Sequence, residues 1–190
     1  GRLTWLRQLH ITGFVSGTIP ACLGRLPRLE SLDLSNNRGL EGALPESMGG
    51  LKNLRSLRLS RTGLSGSLPA GLFELPHLSL LEATACSFEG QLPEAISRLT
   101  SLQVLVLDYN QLTGPLPTSL GDLGGLRVLR LSHNALTGQI PESLGQLRMM
   151  SFLDLDHNNL EGGLPWSLGR LRRLNFLHVS ANQLSAEVPF

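Results

Sequence analysis

Apolar and polar positions recur along this chain with one fixed rhythm. Leucines open successive units at Leu3, Leu26, Leu51, Leu75, Leu99, Leu123, Leu147 and Leu171, at intervals of 23, 25 and then 24 residues five times. Each unit follows the pattern L-x-x-L-x-x-L-x-L-x-x-N-x-L-x-G-x-I/L-P-x-x-L-G-x-L. A constant period of this length marks a stack of small units, none of which can bury its apolar face alone. The unit beginning at Leu123 shows the parts. Around Leu129-Arg130-Leu131 apolar and polar residues alternate, as in a half-buried strand. Leu129 and Leu131 are expected to point in, and Val128, Arg130 and Ser132 out. Stacking sets such strands side by side, roughly 4.8 Å apart, in a parallel sheet. Leu136 to Ile140 predicts a short second strand along the flank. Pro141 then lacks an amide donor and predicts the start of a 3-10 turn packed by Leu144 and Gly145. The predicted fold is an α/β repeat: a right-handed solenoid with a parallel concave sheet, short flanking second strands and 3-10 turns on the convex side.

The repeats fill nearly the whole chain, so residues 1–190 read as one domain of about eight repeats. Neither end shows a polar capping unit, and the expectation is a segment of a longer protein. Asn37, Asn110, Asn134, Asn158 and Asn182 share one repeat position. A buried amide there can bond backbone groups of neighbouring units and join them in a ladder. Thr62 and Cys86 take that place in two repeats, and Phe14 lies near it in the first. A thiol is a weak donor, so the ladder is predicted to weaken at Cys86. Cys22 and Cys86 fall on different parts of distant repeats, too far apart to bridge, and are expected to be free thiols.

Composition narrows the function. Net charge is +1, which gives no global pull towards nucleic acid or an anionic membrane. No apolar run reaches the ~18 residues that a membrane span needs. No cofactor motif, catalytic residue or metal-ligand spacing stands out, and no enzyme is expected within these residues.

The L-x-G-x-I/L-P segment recurs as Val15-Ser16-Gly17-Thr18-Ile19-Pro20, Leu64-Ser65-Gly66-Ser67-Leu68-Pro69 and Leu112-Thr113-Gly114-Pro115-Leu116-Pro117. It resembles the plant-specific class of leucine-rich repeat. Proteins similar in this way include receptor-like kinase and receptor-like protein ectodomains and polygalacturonase-inhibiting proteins. Paired-cysteine caps, N-x-S/T sequons and a kinase-like segment are absent from these residues. The resemblance implies a non-enzymatic recognition module at the cell surface or outside the cell, the ligand-sensing region of a receptor-like protein. Its partner would be a protein or peptide on the concave face. The alternatives are an inhibitor of cell-wall glycanases and a structural scaffold subunit.

Residues at outward strand positions carry the candidate chemistry. One column reads His10, Asp33, Arg58, Glu82, Val106, Arg130, Asp154 and His178, with opposite charges on adjacent strands. It is either a self-neutralising surface ladder or a charged recognition strip. A second column turns apolar from Leu80 through Val104, Val128, Phe152 and Phe176, as at many protein interfaces. Tyr109, His133 and His157 share a position at the strand ends, where histidine offers a pH-sensitive contact. Arg55, Arg58 and Arg61 could fork a carboxylate, from a peptide terminus or an acidic sugar. The candidate ligand-binding residues are therefore Arg58, Arg61, Glu82, Tyr109, Arg130, His133, Phe152, Asp154, His157 and Phe176. Trp166, after Pro165, is expected on the convex side as an exposed lateral contact.

Overall fold

The computed structural model describes residues 3–185. Eight short strands form one parallel sheet: Gln8–His10, Ser31–Asp33, Ser56–Arg58, Leu80–Glu82, Val104–Val106, Val128–Arg130, Phe152–Asp154 and Phe176–His178. They pair strictly in chain order, and the register puts Leu9, Leu32, Leu57, Leu81, Leu105, Leu129, Leu153 and Leu177 in one row. A second parallel sheet runs along the flank, from Ser16–Gly17 through Gly39–Ala43, Gly63–Gly66, Ser87–Gln91, Gln111–Pro115, Ala135–Gln139 and Asn159–Gly162 to Gln183–Leu184. Each crossover returns to a parallel strand, the connection that twisted strands favour in the right-handed sense. The result is the right-handed solenoid that the leucine period predicts, with the first sheet as its concave wall.

Proline sets the convex side. Seven five-residue 3-10 turns start directly after Pro20, Pro45, Pro69, Pro93, Pro117, Pro141 and Pro165. Each proline holds an extended φ and needs no amide partner at the turn's first bond. Glycine fits where the turns touch. A Cβ on Gly145 would lie 2.3 Å from the Cβ of Ser167 in the next repeat, so only glycine permits this stacking distance. A further device has no counterpart in the leucine pattern. Glu46, Glu94 and Glu142, in alternate repeats, accept backbone N–H bonds from the first turn residues of the following repeat, at 2.9–3.3 Å. Hydrogen bonds from Ser119 and then Thr118 hold the Glu94 carboxyl below its usual range.

The core is one continuous cluster of leucines from neighbouring repeats, with Phe73 and Phe88 fully enclosed. Inside the turn that follows each concave strand runs the expected ladder. The Asn110 amide donates to the carbonyls of Ala83 (2.8 Å) and Leu107 (3.0 Å), and its oxygen accepts from Phe88 N–H at 3.0 Å. Asn37, Asn134, Asn158 and Asn182 repeat this geometry. Between them the ladder changes chemistry. Cys86 Sγ reaches Leu59 O at 3.2 Å and Thr62 Oγ1 at 3.3 Å. A thiol replaces the amide's bond back to the preceding repeat with a weaker one, as its donor strength dictates.

Both cysteines are free thiols, Cys22 exposed and Cys86 partly covered. A thiol reagent should therefore label Cys22 rapidly in the native protein and Cys86 much more slowly. Two equivalents should react after denaturation without reductant. Equal native rates at the two sites would contradict the placement of Cys86 within the ladder.

Candidate functional site

The turn after each concave strand has a backbone feature that aims its side chains. One residue per repeat takes a left-handed conformation: Asn36, Arg61, Ala85, Tyr109, His133, His157 and Ala181, with φ between 51° and 62°. Non-glycine residues adopt this region at a cost of roughly 1–2 kcal/mol each. After Asn36, Tyr109, His133, His157 and Ala181 the next residue is a ladder asparagine whose Nδ2 donates to the carbonyls two and three positions before it, which holds the turn. Side chains in this column leave the concave edge in parallel. Tyr109 and His133 stack with ring centroids 4.1 Å apart and planes within 11°, and His133 and His157 stack at 4.2 Å and 15°. Tyr109 is 53% exposed. The three expected residues thus form one aromatic strip. Stacked imidazoles aim their nitrogen lone pairs side by side rather than towards one point, a poor geometry for chelation.

A second group lies on the strands beside it. Phe152 and Phe176 pack at 5.2 Å, and His178 meets Phe152 edge-on at 5.4 Å. The Arg130 guanidinium sits 5.7 Å from the Phe152 ring centre, within cation–π range. Phe176 is 52% exposed, so the cluster offers aromatic surface to the concavity. His178 was not among the expected ligand-binding residues, although its place in the charged column was visible.

Arg130 has a further partner that the outward-pointing pattern did not show. Asp108, at a strand end, is fully buried. Its Oδ1 accepts from Ser132 N–H at 2.9 Å and from the Ser132 hydroxyl at 3.0 Å. Its Oδ2 lies 2.9 Å from Arg130 Nη2, an ionic contact off the line of a directed hydrogen bond. Burial pushes the Asp108 carboxyl above its usual range, outweighing the pull of Arg130 and the Ser132 bonds. Arg130 Nε also faces Asp154 Oδ2 at 3.7 Å. Asp154, expected as part of an outward strip, is only 6% exposed, and its Oδ1 accepts from Asp156 N–H at 3.2 Å. Arg130 therefore bridges two carboxylates and belongs to the structure as well as to the surface. The signal for Asp108 is its departure, shared by Asp156, from the hydroxyl residues Ser35, Ser60, Thr84, Ser132 and Ser180 at the same repeat position.

The charged column pairs differently from expectation at its other end. Arg58 Nε faces Glu82 Oε2 at 3.4 Å, whereas Asp33 turns to His10 Nδ1 at 3.0 Å. Burial raises the Asp33 carboxyl, but bonds from Ser35 and the neighbouring His10 outweigh it and leave it lowered. The fork of Arg55, Arg58 and Arg61 does not assemble. Arg58 is neutralised by Glu82, and Arg61 lines a separate hollow with Phe14 and Arg38. Ligand-type atoms of Asp154, Asp156 and His178 lie within 4.8 Å of one another. Both carboxylates are already bonded, Asp154 to Asp156 N–H and Asp156 to Ser180 N–H, and Arg130 adjoins them. We assign this trio to the turn. Trp166 is exposed on the convex side, beside a depression of about 490 Å³ that Pro117's neighbours Leu116 and Thr118 also line. Among the described residues no helix is long and apolar enough to cross a membrane.

Family models agree with this geometry. A leucine-rich repeat region model matches residues 1–135, and a leucine-rich repeat model matches 125–147 and 150–171. The chain belongs to the leucine-rich repeat family. Within that family it is 45% identical over 58 residues to the receptor protein-tyrosine kinase CEPR2 of Arabidopsis thaliana, covering 30% of this chain and 6% of the kinase. It is 48% identical over 50 residues to a polygalacturonase inhibitor of Pyrus communis, covering 26% of this chain and 15% of the inhibitor. In structure it is similar to the plant peptide hormone receptor RGFR1 in complex with RGF2, with a TM-score of 0.90 and 37% identity. That match covers 92% of this leucine-rich repeat chain and 28% of the receptor chain, so the chain spans under a third of the receptor it matches.

Proposed function

We propose that this leucine-rich repeat chain is a ligand-sensing region of a receptor-like protein at the cell surface, and that it binds a peptide or protein segment on its concave face. It does so without catalysis. The observation that carries this reading is the pair of aromatic groups on one face, the Tyr109–His133–His157 strip and the Phe152–Phe176–His178 cluster. Aromatic and arginine side chains dominate the energetics of protein interfaces, and these are preset by stacking, which lowers the entropy lost on binding. The likeness to a plant peptide hormone receptor complex supports the same reading.

Selection of random-peptide phage on the immobilised chain tests it. Selected peptides should lose at least about tenfold in affinity to a Tyr109→Ala/Phe152→Ala/Phe176→Ala variant, the loss of one or more interface anchors. Arg130 is left intact because it supports the fold. Peptides that bind parent and variant equally would refute the concave assignment. The segment shared with a polygalacturonase inhibitor favours a second reading, inhibition of a cell-wall glycanase. Dose-dependent inhibition of a fungal endopolygalacturonase by this chain would select it instead.

A further inference from the structure

We infer that the outer face of Tyr109, above Ala85, is an open stacking slot that takes one flat aromatic side chain of a peptide ligand. The inference deepens the peptide-binding reading above and rests on it, but its geometry comes from a single column of residues. Ala85, Tyr109, His133, His157 and Ala181 hold the same left-handed turn position in the fourth to eighth repeats, with φ between 51° and 55°. The three rings lie nearly parallel at 4.1 and 4.2 Å, with His133 between the other two. His133 is therefore closed on both faces. The stack ends on either side at an alanine, which supplies no ring.

No ring or cation among the described residues covers the outer face of Tyr109. Its one ring neighbour is His133. The cations that lie over aromatic rings are Arg28 over Trp5 and Arg130 over Phe152. Tyr109 is 53% exposed, and Ala85 is exposed beside it. A guest ring entering here would meet the phenol face-on and the Ala85 methyl at its edge. Stacking on His133 already sets the plane of Tyr109, so little side-chain freedom is left to lose when the guest arrives. A branched aliphatic side chain cannot match a flat face and forgoes the added attraction of stacked rings. Ala181 leaves a like gap beside His157, but the smaller, more polar imidazole offers less apolar overlap.

Tyr109 is the only tyrosine in the chain, so ring-¹³C-tyrosine labelling gives one reporter at the slot. On titration with N-acetyltryptophan amide its ring signals should move upfield, the mark of a ring stacked above, whereas N-acetylleucine amide should leave them in place. Ala85→His should close the slot with a residue type that already takes this turn at His133 and His157. In that variant the Tyr109 signals should start upfield and cease to respond. Ala85→Gly keeps the slot open and should respond as the parent does. In phage-selected peptides, replacing the aromatic residue with leucine should weaken binding to the parent about threefold to tenfold, the contribution of a stacked pair, and leave binding to Ala85→His unchanged. An equal response to the leucine amide, a persisting response in Ala85→His, a larger response to adenosine, or a larger response at the His157 ring than at Tyr109 would each overturn the slot. Such a result leaves the concave reading standing, because that reading fails only when selected peptides bind the Tyr109→Ala/Phe152→Ala/Phe176→Ala variant as they bind the parent.

Discussion

Replacing Arg130 with alanine is expected to lower the unfolding free energy by about 3 kcal/mol at neutral pH, because a buried carboxylate loses its counter-ion. Asp108 is fully enclosed and Arg130 is 41% exposed, which places the effect at the lower end for a broken buried pair. The pH dependence follows from the raised Asp108 carboxyl. The native state then takes up a proton more readily than the unfolded chain, so ionised Asp108 costs stability at neutral pH. That cost fades as the pH falls through the raised value towards the ordinary carboxylate range. Without Arg130 the carboxyl rises further, and the deficit of the variant relative to the parent should shrink on acidification. Asp33 and Glu94 act in the opposite sense: their lowered values give stability above the ordinary range that is lost as the pH falls through the lowered value. They are common to both proteins and cancel in the difference. Denaturant titrations at several pH values measure it. In an Asp108→Ser background, the residue type of most equivalent positions, the deficit from Arg130→Ala should fall well below that in the parent, the remainder being what the nearly buried Asp154 loses with its Arg130 contact. A small, pH-independent deficit in the parent background would mean that Asp108 does not depend on Arg130.

The second large effect is expected at the ladder. Asn110→Ala removes the acceptor for Phe88 N–H and the donor to Ala83 O. Leu107 O keeps a bond from Asn134 Nδ2, so two buried backbone groups are orphaned rather than three. At about 1–3 kcal/mol for each unsatisfied group, the loss should be near 3 kcal/mol. Asn182 makes the same bonds at the half-exposed last turn. There water replaces the lost partners, and Asn182→Ala should cost about 1 kcal/mol. Equal losses at the two positions would show that burial does not govern the ladder's strength.

The parts of this protein that were readable in the sequence are those repeated at every period. Leucine spacing carries the strands and their register, proline the start of each 3-10 turn, and asparagine the ladder. Each is a local preference reinforced many times. The site was readable only as columns. Tyr109, His133 and His157 were visible as one row, but their stacking depends on the left-handed φ that aims them. Arg58 is taken up by Glu82 and Arg61 lines a separate hollow with Phe14, pairings that the row of arginines does not encode. The burial of Asp108 depends on one long side chain reaching back from the next repeat, a pairing that no periodicity encodes. The role of the convex-turn glutamates is not legible in the pattern for a similar reason: their partners are backbone amides of a neighbouring unit.

The spacing of the aromatic strip has a mechanical consequence. Neighbouring strands in a sheet are about 4.8 Å apart, yet the rings that project from them are separated by 4.1 and 4.2 Å. Side chains on the inner side of a bend converge in this way. Flattening the arc would draw the rings apart and weaken their stacking, whereas tightening it would press them into van der Waals overlap. The strip therefore acts as a stiff rib across the fifth, sixth and seventh repeats. A guest that fills the hollow meets a wall of preset radius rather than one that moulds to it.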